Sequence, residues 1–87
     1  MKIKKGFVAK EIAGQYVVVA LGAASKIFNG IIKLNDSAKF IWDMLSEGAE
    51  KTEIVDALLA EYDVDKETAE RDVDAFVVQL EGANILE

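Results

Sequence analysis

The sequence predicts an α+β domain in which a three-stranded antiparallel sheet is followed by three helices. Three observations carry that expectation. From Phe7 to Leu34 the residues are largely β-branched or aromatic with glycines at the joints, after Leu34 the apolar residues recur at spacings of three and four, and no proline occurs in the 87 residues. Strands and helices segregated along a chain pack as helices over one face of a small antiparallel sheet.

The first strand is read over 7–12, followed by a turn at Ala13-Gly14, and the second over 15–21, where three consecutive valines begin at Val17. The third is read over 27–34, after Gly22-Ala23-Ala24-Ser25-Lys26. Its two-residue period puts Phe28, Gly30, Ile32 and Leu34 on one face and Ile27, Asn29, Ile31 and Lys33 on the other, with the Leu34 face turned to the core. Gly30 has no side chain to pack, which marks either a bulge or a place where another backbone comes close.

Helical periodicity begins with a segment over 36–46, capped by Asn35 or Asp36 and ended by Gly48, with Ala38, Ile41 and Leu45 on one stripe and Phe40 and Met44 beside it. This segment also carries the only tryptophan, Trp42. The second helix, over 51–62, presents Ile54, Val55, Leu58, Leu59 and Tyr62 before Asp63-Val64-Asp65 interrupts it. Asp65 caps the third, over 66–81, where Ala69, Val73, Phe76, Val77 and Leu80 share a stripe and Gly82 is the expected stop. Ile85 and Leu86 are expected to fold back onto the core.

At this length, and with 52% of residues hydrophobic, the chain supports one domain over 1–87. Cysteine and histidine are both absent. That removes disulfides, thiol nucleophiles, the usual transition-metal ligands and the commonest proton-transfer side chain, so no catalytic residue, metal or cofactor is expected. The carboxylates occur in no context that implies buried pairing, and an enzyme is not expected. The longest uncharged stretch, Ile12 to Ser25, falls well short of the roughly 20 apolar residues that span a bilayer. The lysines at positions 2, 4 and 5 are not followed by a signal-peptide pattern, and a cytoplasmic location is expected.

Charge divides unevenly: residues 1–34 hold six lysines and one acid, whereas residues 35–87 hold four basic and fifteen acidic residues within a net charge of −6. An acidic second half disfavours phosphate backbones and anionic lipids and favours a partner carrying positive charge, although a solvated helical face explains the same acids.

The stretch Phe28-Asn-Gly-Ile-Ile-Lys-Leu-Asn35, with Ala38, Ile41-Trp42 and Leu45, resembles the central signature of the PqqD family. The segment Ile54-Val-Asp-Ala-Leu-Leu-Ala-Glu-Tyr-Asp-Val-Asp65, then Asp72-Val73, Phe76, Leu80 and Ile85-Leu86, continues the resemblance to the end of the chain. One departure lies at Ala49-Glu50-Lys51-Thr52, where many members place a threonine cap directly after the alanine. The resemblance implies a winged-helix-like domain that binds the leader of a ribosomally synthesised precursor peptide while a separate maturation enzyme, often a radical-SAM protein, modifies the rest. It also implies that the leader adds as a strand to the third strand, in the cleft against the third helix.

Strand addition draws affinity from backbone hydrogen bonds and specificity from pockets for alternate side chains, so it needs neither histidine nor cysteine. It selects Ile27, Phe28, Asn29, Gly30, Ile31, Ile32 and Lys33 as the pairing segment, with ordinary strand packing the plain alternative for the isoleucines. On the third helix, a turn of 100° per residue puts Asp72, Ala75, Phe76 and Gln79 on one flank of the stripe and Asp74, Val78 and Glu81 on the other. The Phe76 flank is the expected cleft wall, because it joins an aromatic surface to two polar side chains; Val78, an apolar residue outside the stripe, is the argument for the other.

Competing functions are distinguishable. A DNA-reading third helix is opposed by its two basic and five acidic residues over 66–81. A carrier protein modified at Ser37, after Asp36, is opposed by the strand-forming first third of the chain. A homodimerising or domain-swapping module stays open, because an exposed strand edge can pair with a second copy.

Overall fold

The computed structural model describes residues 1–26 and 30–87. Strands β1 (Phe7–Ile12) and β2 (Gln15–Ala20) are followed by a 3-10 turn (Gly22–Lys26), strand β3 (Ile32–Leu34) and helices α1 (Asp36–Glu47), α2 (Lys51–Glu61) and α3 (Lys66–Gly82). The sheet is antiparallel in the order β1-β2-β3, so β2 is central and β3 forms an edge.

At the β1–β2 turn both Ala13 (φ 54°) and Gly14 (φ 80°) are left-handed, which matches the twist of the strands they join. Register then runs from Ile12 opposite Gln15 to Phe7 opposite Ala20, and from Tyr16 opposite Leu34 to Val18 opposite Ile32. The core face therefore carries Val18, Ile32 and Leu34, all buried, as the alternation around Leu34 predicts.

The third strand is shorter than the segment 27–34. Gly30 and Ile31 precede it and are exposed, and Ile27, Phe28 and Asn29 lie outside the described residues. Chain direction supplies a reason: Leu21 donates its N–H back to the Gly6 carbonyl, and the backbone then closes into the 3-10 turn, with the Ala24 N–H on the Leu21 carbonyl. Gly30 offers no side chain for a cross-strand contact, and Ile31 is 70% exposed, so nothing packs there to hold a longer ladder.

The helices cover the core face. Ile41, Trp42 and Leu45 of α1, Ile54, Val55 and Leu58 of α2, and Ala69, Val73, Phe76 and Leu80 of α3 join the strand residues in one cluster. Trp42, 2% exposed, is a core residue that helical periodicity did not separate from its neighbours. Ile85 is fully buried, and Leu86 pairs with Ile3 in an isolated antiparallel bridge. Around that bridge the Ile3 N–H bonds the Leu45 carbonyl at 3.0 Å and the Glu87 N–H bonds the Lys2 carbonyl at 2.9 Å.

Helix ends follow local chemistry. Asn35 Oδ1 accepts the Ala38 N–H at 2.8 Å, which makes Asn35 and not Asp36 the cap of α1. Gly48 ends α1 with φ 97°, a conformation that disfavours a side chain. Where a threonine cap is missing before α2, Glu53 substitutes by accepting the Glu50 N–H at 3.0 Å. Helix α3 continues through Gly82, and the left-handed residue beyond it is Asn84 (φ 60°), whose Oδ1 accepts from Lys4 Nζ at 2.6 Å.

Asp65 caps α3 by accepting the Thr68 N–H at 2.7 Å. That backbone bond, helped by the Thr68 side chain and more weakly by Arg71, holds its carboxyl below the ordinary aspartate value. A carboxyl lowered in the folded state stabilises fully above its unfolded pKa and loses that contribution as pH falls through the folded one. Asp65→Asn is therefore expected to melt below wild type at neutral pH, with the gap narrowing as pH drops below about 4. Paired thermal melts across pH check this; a gap independent of pH rules out the charge as its source.

Candidate functional site

One side of β3 pairs with β2 and the other has no strand partner among the described residues, so its alternate N–H and C=O groups point away from the sheet. Beside this edge lies a groove of about 300 Å³. Lys33 and the start of α1, through Asn35, Ser37, Ala38 and Ile41, form one wall, and Asp72, Ala75, Phe76 and Gln79 of α3 form the other. All four residues of the Phe76 flank thus line a single groove with Lys33.

Helix orientation explains the choice of flank. Val73 and Leu80 are fully buried, which fixes the rotation of α3, and Asp74 is drawn to Lys51 of α2 at 2.8 Å. Its hydrogen bond to Asp74 raises the Lys51 pKa. Val78 is left 66% exposed outside the groove. Phe76 has two roles, since it is only 7% exposed, belongs to the core cluster and also lines the groove.

The remaining pairing residues divide. Ile32 is buried and offers only its backbone to the edge, Gly30 and Ile31 are exposed beside it but do not line the groove, and Ile27, Phe28 and Asn29 fall outside the described residues. Sequence reading did not assign Asn35, Ser37, Ala38 and Ile41 to the site. Ala38 and Ile41 were legible as a helical stripe, but which part of that stripe faces α3 depends on tertiary packing. The Asn35 side chain, which caps α1 and accepts from Ser37 Oγ at 3.1 Å, fixes the start of that wall.

A second depression of about 370 Å³ shares Asn35, Ser37 and Asp72 with the first and adds Asp36, Leu58, Tyr62, Val64 and Ala69. The surface beyond the end of β3 therefore continues as a more apolar trough. Lys33 and Asp72 set opposite charges on the two walls of the first groove. An open strand edge beside a partly apolar groove can accept an extended chain by backbone pairing, with every second side chain turned inward. Among the described residues no helix is long and apolar enough to cross a membrane.

A family model described as coenzyme PQQ synthesis protein D (PqqD) matches residues 12–86. No curated protein matches. A solved structure described as TbiB1 in complex with the TbiA(beta) leader peptide is 36% identical, with a TM-score of 0.78, and the alignment covers 100% of this chain and 95% of that one. Another, described as lasso peptide synthetase B1 complexed with the leader peptide, is 23% identical with a TM-score of 0.74, covering 97% of this chain and 93% of that one, and shares the fold. With the family model spanning the sequence from the end of β1 to the penultimate residue, the chain belongs to the PqqD family.

Proposed function

We propose that this chain is a non-enzymatic adaptor that binds the leader of a ribosomally synthesised precursor peptide by strand addition along β3 and presents it to a modifying enzyme. The observation that carries this reading is the coincidence of an open strand edge with a groove whose far wall is the Phe76 flank of α3. TbiB1, similar over 95% of its length, is described in complex with a leader peptide, which supports the same class of ligand here. In this reading Ile27 to Lys33 supply the pairing backbone, Phe76 and Ala75 receive apolar leader side chains, and Asp72 and Gln79 hold a basic or polar one. The modifying enzyme is a radical-SAM protein, and the pair works in the cytoplasm.

Opposite charges at Lys33 and Asp72 orient a leader carrying both signs, so affinity should weaken as salt rises. An amide-resolved NMR titration of labelled protein with the leader half of its precursor peptide tests the whole reading. Saturable shifts confined to residues 27–33 and α3 are expected. Absence of shifts at high peptide concentration, together with a concentration-dependent dimer, would replace this function with self-association through the same edge.

A further inference from the structure

The sheet has a second face, which the groove touches only at its edge, through Lys33. On it, at the outward positions of β1 and β2, stand Val8, Val17 and Val19, none of which belongs to the core cluster under the helices. Ile12 and Leu21, 55% and 47% exposed, extend this apolar surface along its length. Register places Lys10 and Lys33 on either side of Val17. Val17 is nevertheless only 8% exposed, as expected when the aliphatic stems of flanking lysines cover a valine while their ammonium groups stay in water. No outward position of the three strands is acidic, although the whole chain carries a net charge of −6.

We propose that this outward sheet face docks a second protein whose contact patch is apolar at its centre and rimmed by carboxylates. Charge complementarity selects that occupant. Two copies of this chain meeting face to face would bring lysines against lysines in a closed dimer, which opposes self-association here. Two lysines on an acidic protein are too few to hold a phosphate backbone. A carboxylate rim instead pairs the ammonium of Lys10, which lies off the groove, and the valines beneath the displaced stem supply the apolar contact that ion pairs alone do not. Resting on the function proposed above, the second protein is the enzyme that modifies the bound peptide, docked on the face of the sheet opposite the helices.

Calorimetric titrations of wild type, Lys10→Glu and Val19→Asp, first with the purified modifying enzyme and then separately with the leader peptide, test the assignment. Lys10 and Val19 do not line the groove, and thermal melts establish that each variant is folded; the exposed Lys10→Glu alone suffices if Val19→Asp is not. Enzyme affinity is expected to fall at least about tenfold in the variants, with leader affinity unchanged. Equal enzyme affinity for wild type and Lys10→Glu, or no enzyme binding by wild type, overturns the docking face. A wild-type dimer dissolved by Lys10→Glu also overturns it, in favour of a second copy. Enzyme binding that depends on Lys10, without any leader binding by wild type, sinks the groove reading and leaves the docking face standing.

Discussion

Ala75→Trp is expected to reduce leader affinity at least about 100-fold, equivalent to roughly 2.7 kcal/mol, without unfolding the protein. Ala75 is exposed and lines the groove between β3 and α3, and an indole there occupies space that a peptide side chain needs. Since the position adds nothing to the core, the change costs about 0.5 kcal/mol of helix propensity. Fluorescence anisotropy with a labelled leader measures the affinity, and Val78→Trp on the opposite flank is the control. Normal binding by Ala75→Trp, or loss of binding in the Val78 variant alone, would move the peptide to the other side of α3.

Trp42→Ala is expected to have the largest effect on stability. Trp42 is 2% exposed within the cluster that joins sheet and helices, and truncating a buried large aromatic costs about 3–5 kcal/mol, combining lost burial with the cavity left behind. A domain of this length has about 4–13 kcal/mol in total, at roughly 0.05–0.15 kcal/mol per residue, so the variant is expected to be partly unfolded at 37 °C. Urea titration should show a midpoint far below that of wild type with a similar slope. A loss under about 1 kcal/mol would mean that Trp42 is not in the core.

Which parts of this molecule can be read from sequence follows from the range of the forces involved. Local chemistry set these helix ends: Asp65 and Asn35 accept from the first turns of the helices they start, and Gly48, which stops α1, takes a backbone angle few other residues tolerate. The end of α3 falls one residue beyond the expected stop, with Ala83 and not Gly82 as the cap, and the left-handed turn that follows is taken by Asn84, whose partner, Lys4, lies at the other end of the chain. The length of β3 was overestimated for a related reason. Alternation at Ile31 and Ile32 is a strand signal, but a strand needs a partner, and the backbone leaves β2 at Ala20 to enter a turn.

The site was half legible. The rotation of α3 follows from Val73 and Leu80, which also fixed its Asp72 to Gln79 flank as a unit. The part of the groove built by Asn35 to Ile41 depends on how α1 is placed against α3, a long-range arrangement that no single helical stripe encodes.

The bridge between Ile3 and Leu86 has a kinetic consequence. It closes a loop containing every strand and helix of the domain, so its chain-entropy cost is among the largest of the contacts here, and it is offset only once the intervening elements have already shortened the path. It is therefore expected to form late, as a latch on an otherwise finished structure.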